Sequence, residues 1–136
     1  EHYVLGQKPY EASETFETSA STSKPRFTRF NERRKATKEM QTCAASYSWL
    51  SNAAKMNTYL MRHAWKKYTA PMLIIQAEQD DYVWTSQIQK FADKIKKHGI
   101  AECEYLYLSE TKHETYSSND ETMDKYINKI LAFLQK

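Results

Sequence analysis

The length, composition and charge of this chain exclude several classes of protein. Its 136 residues suffice for one modest domain with a single core. Hydrophobic residues make up 40% and charged residues 27%, which is typical of a folded, water-soluble protein rather than a disordered one. No apolar run approaches the ~20 residues of a membrane-spanning helix, and a net charge of +3 is too balanced to predict nucleic-acid binding.

The first half, residues 1–69, is predicted to be irregular and then helical. Residues 11–25 are rich in Ser, Thr and Glu without a readable period, which favours a surface excursion. Residues 26–40 favour a helix with Phe27 and Phe30 on one side. A stronger helix follows, because apolar residues recur there at steps of three and four: Trp49, Ala53, Met56, Leu60 and Ala64.

Basic residues concentrate in a stretch that we call the basic segment, residues 24–38. It holds seven Lys or Arg residues against one acid, Glu32. The favoured interpretation is a solvated helix face. The alternative is contact with an anionic membrane surface, where each nearby basic residue contributes about 1 kcal/mol. The seven are Lys24, Arg26, Arg29, Arg33, Arg34, Lys35 and Lys38.

The second half, residues 70–136, has the pattern strand, helix, strand, helix. The unbroken apolar run at 72–75 opens a strand predicted over 72–77 and buried on both faces. A helix over 86–98 ends at Gly99, where a C-cap glycine belongs. A strand over 102–108 shows period-two alternation.

The final helix is predicted to open with a capping box made by Ser118 and Glu121. Its apolar residues are expected to point inward: Met123, Tyr126, Ile127, Ile130, Leu131 and Leu134. The order of the four elements predicts a right-handed parallel crossover unit. Since two strands leave their edges and faces uncovered, we expect them to form the edge of a larger α/β sheet.

An acid and a histidine follow the two predicted strands, and their positions suggest a site. Asp80 comes after the first strand and His113 after the second, 33 residues later. Sites in open parallel sheets form beyond the carboxyl ends of strands, and neighbouring strands lie about 5 Å apart. An Asp that accepts a bond from one His nitrogen lets the other nitrogen take a proton from a nucleophile. A helix-capping Asp and an ordinary surface His remain the alternatives.

The chain has no convincing nucleophile. It contains no Gly-x-Ser-x-Gly elbow, and the nearest imitation, Ser46, follows residues too polar to be a buried strand. Cys43 and Cys103 are isolated; core thiols of a cytosolic protein are favoured over a disulfide or a reactive thiol. Scattered histidines and only two glycines predict neither a structural zinc site nor a glycine-rich phosphate loop.

Several motifs together resemble one family. In the second half these are Gln-Ala-Glu-Gln-Asp at 76–80 and Lys-His-Glu at 112–114. In the first half they are Thr-Ser-Lys-Pro-Arg-Phe at 22–27 and Ser-Tyr-Ser-Trp at 46–49. With these motifs the chain resembles the C-terminal half of α/β-hydrolases of the lysophospholipase L2 and monoacylglycerol-lipase-like type.

The resemblance implies a fold and a set of roles. Residues 70–136 would form the last two parallel strands and helices of an α/β-hydrolase, and residues 1–69 a cap. Asp80 would be the acid and His113 the base of a Ser-His-Asp triad, with Asp81 as a substitute acid. The nucleophilic serine would precede Glu1, on the missing N-terminal half. The implied substrate is a lipid-like ester, and no metal, cofactor or nucleic-acid partner is implied. The expected location is the cytoplasm, with peripheral contact with a membrane as an alternative.

Departures from the family pattern keep other functions open. Glycines expected near the site are replaced by Cys43 and Ala44, by Glu78, and by Ser109-Glu110. Loss of glycine restricts the backbone of loops that border a site. A non-catalytic binding module derived from an α/β-hydrolase is therefore the main alternative, and a magnesium-binding Asp80-Asp81 pair is a more distant one.

Overall fold

The computed structural model describes residues 2–42 and 44–136, with four α-helices and two β-strands in that part of the chain. In chain order these are α1 (Lys24–Ala36), α2 (Tyr47–Arg62), β1 (Met72–Gln79), α3 (Thr85–His98), β2 (Cys103–Lys112) and α4 (Asp120–Leu134). Short 3-10 turns lie at Lys38–Met40, Ala64–Lys67 and Thr115–Ser117. The α/β fold class predicted from the sequence, two parallel strands with helices after a helical segment, is confirmed.

The two strands form a parallel sheet with one irregularity. Pairing runs in register from Met72 with Cys103 to Ala77 with Leu108, and then shifts. Gln79 pairs with Lys112, so β2 carries extra residues there and both strands extend beyond their predicted ends. Within the shift Glu110 has φ of 52°, a left-handed conformation that is unfavourable without glycine. The Glu110 N–H donates to the Glu78 carboxylate at 2.7 Å, which holds the bulge together.

The apolar core lies where α3 packs on both strands. Ala92 and Ile95 of α3 are fully buried, and Ala77 and Leu108 of the strands are nearly so. Gly99 ends α3 in a left-handed conformation, and its N–H donates to the Ile95 carbonyl oxygen at 3.1 Å. The predicted α3 and its glycine C-cap are thus confirmed.

The predicted burial of β1 on both faces is wrong for the described chain. Residues 72–75 are half-buried, although the run is entirely apolar. The physical reason is the width of the sheet: two strands and the helices present offer too little surface to cover both faces of β1.

The apolar faces of α2 and α4 are more open than predicted. In α2, Trp49 and Met56 are 62% and 63% exposed, so their side chains lie outside the core. In α4, Met123, Tyr126 and Ile130 are half-buried, but three residues expected to point inward are exposed: Ile127, Leu131 and Leu134. Among the strands, α4 packs mainly against β2, which is too narrow a surface to cover its whole apolar side.

Two local predictions about polar residues are also wrong. Ser19, Ser21 and Ser23 are buried, so part of the presumed surface excursion lies inside the structure. The N-cap of α4 is Asn119, whose Oδ1 accepts from the Thr122 N–H at 2.9 Å, and not Ser118. Ser and Asn are both good caps, and the backbone path decides between neighbours.

Candidate active site

The sheet brings Asp80 and His113 together. Asp80 follows the last residue of β1, and His113 follows the last residue of β2. His113 Nδ1 lies 2.9 Å from Oδ1 and 2.9 Å from Oδ2 of Asp80. Parallel pairing places these two strand ends side by side, which is the arrangement expected from the sequence.

The Asp80 carboxylate is held firmly by its own loop. Its side chain is only 8% exposed, and Oδ1 also accepts from the N–H groups of Tyr82 and Val83, each at 2.9 Å. Burial acts to raise the pKa of Asp80, but the hydrogen bonds from His113, Val83 and Tyr82 outweigh it, so the pKa lies below its usual value. Asp80 is therefore an ionised acceptor at neutral pH.

An ionised Asp80 determines which His113 nitrogen carries the proton in the neutral ring. Nδ1 faces an acceptor and must donate, so Nε2 is left with a lone pair that can accept a proton. The Tyr82 ring lies 4.9 Å from the imidazole, centroid to centroid, and covers part of it. The His113 side chain is 42% exposed, so a reactant can approach the ring. This geometry suits a general base oriented by a carboxylate.

One open cavity borders His113, and a second lies on Tyr82 beside it. One of about 550 Å³ is lined by His113, Tyr82, Arg34 and the stretch 6–14. A second, of about 610 Å³, is lined by Tyr82 together with Trp49 and Ser46. Tyr82 thus borders both cavities, and the exposed start of α2 lies on the second. Volumes of this size are within the range of small-molecule sites.

Other residues considered from the sequence have different positions. Asp81 is exposed, and Asp80 is the acid that accepts the hydrogen bond from His113. Ser46 is the N-cap of α2, and its hydroxyl accepts from the Trp49 N–H at 3.1 Å, which is a structural role. Cys103 is a free thiol whose pKa is raised by burial, so it is a weak nucleophile. The expectation for Cys43 lies outside the described residues.

Two members of the basic segment serve the structure. Arg34 is paired with Glu14 at 2.9 Å and lies over the Tyr10 ring at 4.6 Å. Arg26 is paired with Asp120 at 2.7 Å.

Within residues 2–42 and 44–136, no three Cys, His, Asp or Glu side chains converge to hold a metal ion. In the same part of the chain, none of the helices has the length and apolar character to cross a membrane.

The match to a family model covers residues 13–136, and the model is that of the prolyl oligopeptidase family. The chain belongs to the prolyl oligopeptidase family. This family is part of the α/β-hydrolase superfamily, so the superfamily expected from the sequence is confirmed, together with a serine-hydrolase type of fold. No curated protein and no solved structure matches the chain.

Sequence reasoning predicted that Asp80 and His113 lie together, which the structure shows, but it missed their surroundings. Nothing in the sequence marks Tyr82 as the ring beside His113, because an exposed aromatic two residues after an Asp has no special pattern. The buried serines were missed because serine-rich stretches usually predict loops. Prolyl oligopeptidase family membership identifies the fold around the site.

Proposed function

We propose that this chain supplies the acid–base pair of a serine hydrolase, with His113 as the base and Asp80 as the residue that orients it. The observation that carries the proposal is the hydrogen bond between His113 Nδ1 and a nearly buried, ionised Asp80. Membership of the prolyl oligopeptidase family supports it.

The proposed reaction is hydrolysis of a carboxylic acyl bond. A serine hydroxyl attacks the carbonyl carbon while His113 Nε2 takes the hydroxyl proton, and Asp80 stabilises the resulting imidazolium. His113 then gives that proton to the leaving group as the acyl-enzyme forms. The acyl-enzyme is then hydrolysed by water. His113 removes a proton from the water, the resulting hydroxide attacks the acyl carbon, and the bond to the serine oxygen breaks as His113 returns the proton to the serine. Because this sequence holds no nucleophile elbow, we place the serine on polypeptide beyond it.

We propose a lysophospholipid or a monoacylglycerol as the substrate. The motifs that resemble the lysophospholipase type support this class. So do the exposed side chains of α2, since Trp49 lines a cavity that reaches Tyr82 beside His113, and Met56 lies further along the same helix. An acyl chain could be bound against such residues. Arg26 and Arg34 are engaged in ion pairs, so the proposed contact with an anionic membrane rests on the other members of the basic segment.

A peptide is the second candidate substrate, and the family match favours it. The matching family is that of prolyl oligopeptidases, and amide and ester hydrolysis use the same nucleophile, base and acid. The polar character of the first cavity, with Arg34 and Glu14 on its wall, would suit a peptide backbone better than an acyl chain.

The test uses the native polypeptide that carries this sequence. Labelling with a fluorophosphonate probe measures whether a reactive serine is present, and His113→Gln should abolish labelling. Rates on a lysophosphatidylcholine, a monoacylglycerol and a proline-containing peptide anilide then rank the substrates. A faster rate on the peptide would overturn the lipid proposal. No labelling and no turnover would overturn the hydrolase proposal and favour a non-catalytic binding module.

A further inference from the structure

We propose that Ser21 is a positioning residue that fixes the loop carrying His113, so that a segment about 90 residues earlier in the chain sets the geometry of the base. The inference rests on the proposed function in one respect, the role of His113 as the base. It concerns the contact region between residues 19–23 and residues 112–118, which we call the serine junction.

Ser21 uses the whole hydrogen-bonding capacity of its hydroxyl. The side chain is fully buried, and Oγ lies 2.6 Å from the Ser117 carbonyl oxygen and 2.7 Å from the Ser117 hydroxyl. A carbonyl can only accept, so Ser21 donates to it, and the Ser117 hydroxyl must then donate to Ser21. The Ser23 N–H donates to the same Oγ at 3.2 Å. The Ser23 carbonyl oxygen, 3.2 Å from Oγ, is a second and longer acceptor for the same proton. With one proton donated and two bonds accepted, the hydroxyl has no capacity left.

The residues on both sides of His113 are tied to the same segment, Glu114 through its backbone and Lys112 through its side chain. The Glu114 N–H donates to the Ala20 carbonyl oxygen at 3.0 Å, and Lys112 Nζ donates to the Ser19 carbonyl oxygen at 2.9 Å. The residues immediately before and after His113 are therefore both held by residues 19–20. The Ser23 N–H adds a bond to the Ser117 carbonyl oxygen at 3.1 Å.

The imidazole depends on this anchoring because few other contacts hold it. Its side chain is 42% exposed, and the contacts that orient it are the hydrogen bond to Asp80 and the Tyr82 ring. A shift of the loop backbone would lengthen the bond to Asp80 or turn Nε2 away from a serine. Displacements near 1 Å in an active site can cost on the order of 100-fold in rate.

The motif at residues 22–27 thereby acquires a structural role. Ser23 is the N-cap of α1, and Arg26 Nη1 donates to the Ser118 carbonyl oxygen at 2.6 Å while Nη2 pairs with Asp120. The start of α1 is thus bound to the start of α4, the helix that follows His113 in the chain. Residues 22–27, which contribute to the family resemblance, thus contact the second segment of the serine junction through Ser23 and Arg26.

The test compares Ser21→Ala with Ser19→Ala in the native polypeptide that carries this sequence. Ser19 is a matched control because it is also buried, but among the described residues its hydroxyl bonds to the Phe16 carbonyl oxygen and the Ser21 N–H, both within its own segment. The readout is the NMR spectrum of ¹⁵N-labelled histidine, in which the His113 Nδ1 proton reports the bond to Asp80. This measurement requires no catalysis, so it remains decisive if the proposed hydrolase activity is absent.

We expect Ser21→Ala to shift the Nδ1 proton resonance and speed its exchange with water, with Ser19→Ala close to wild type. Ser117→Ala removes the hydroxyl–hydroxyl bond but keeps the bond from Ser21 to the Ser117 carbonyl oxygen. It should therefore give a smaller change of the same kind, and it decides the case if Ser21→Ala does not fold. In the native enzyme Ser21→Ala should lower kcat on the order of 10- to 100-fold with KM nearly unchanged. A lower melting temperature with an unchanged His113 spectrum, or equal changes in both alanine variants, would overturn the proposal.

Discussion

The serine junction and the outer faces of α2 and α4 are stabilised in opposite ways. At the junction, small polar side chains are buried and Ser21 is saturated with hydrogen bonds. On the two helices, large apolar side chains such as Trp49 and Leu134 are mostly exposed. The Ser21 hydroxyl is satisfied within the chain, although the Thr22 and Ser118 hydroxyls of the same junction are buried without a hydrogen-bond partner among the described residues. The two helices instead expose apolar surface to water.

The difference lies in how the two interactions work. A hydrogen bond needs one partner at a suitable distance, so a few residues can satisfy the polar groups of a small buried region. Hydrophobic burial grows with area and needs a broad opposing surface. Contiguous exposed apolar surface commonly marks a site of contact with another molecule or segment. The polar junction therefore positions the site, while the apolar faces are available for contact.

The largest expected effect comes from the acid at the site. In the native enzyme, Asp80→Asn should lower kcat about 10⁴-fold, because an amide cannot stabilise the imidazolium or hold the correct His113 tautomer. Asp81→Asn is the matched control and should stay within about threefold of wild type, since its side chain is exposed. Steady-state kinetics on the preferred substrate measure both. Equal losses in the two variants would contradict the assignment of Asp80.

The next prediction compares the stability lost on truncating a core side chain with that lost on truncating a side chain of an exposed helix face. Ile95→Ala should reduce the free energy of unfolding by about 2–5 kcal/mol, because Ile95 is fully buried between α3 and the sheet. Leu134→Ala, at a side chain that is 73% exposed, should cost less than about 0.5 kcal/mol. Urea unfolding followed by circular dichroism gives both values. A large loss at Leu134 would show that α4 is covered in solution.

A smaller effect is expected at the bulge that precedes His113. Glu110→Gly should be more stable than Glu110→Ala by about 1 kcal/mol, because only glycine adopts φ of 52° without steric cost. Comparing the two variants cancels the loss of the glutamate side chain, and both keep the N–H that bonds to Glu78. Urea unfolding measures the difference. Equal stabilities would mean that residue 110 is not left-handed in solution.

The smallest effect is a dependence of stability on pH. The pKa of Asp80 is lower in the folded chain than its usual value of 3.8, so ionised Asp80 stabilises the fold above that pH. This contribution is lost as pH falls through the lowered pKa, and the stability advantage of wild type over Asp80→Asn should shrink there. Unfolding curves at several pH values, with a carbon-detected NMR titration of the carboxyl group, provide the check. A titration midpoint above 3.8 would contradict the geometry.

The sequence by itself predicted the α/β fold class and the pairing of Asp80 with His113. The fold class follows from alternating and unbroken apolar runs, which predict parallel strands. The pairing follows because the carboxyl ends of parallel strands meet at one edge of the sheet. Gly99 as the C-cap of α3 was equally predictable, since the left-handed conformation favours glycine. The division at residue 69 into a cap and a core stays a prediction.

The tertiary structure alone decided how the site is supported. Ser21 and Ser117 are 96 residues apart, and no pattern in a serine-rich stretch distinguishes a buried hydrogen-bonded serine from a loop serine. The choice of Asn119 over Ser118 as the α4 cap depended on the path of the backbone. An amphipathic pattern likewise shows which side of a helix is apolar but not whether that side is covered. The sequence gives the chemistry of each side chain directly. Which side chains are buried, and which hydrogen-bond to one another, depends on the distant segments that the fold brings together.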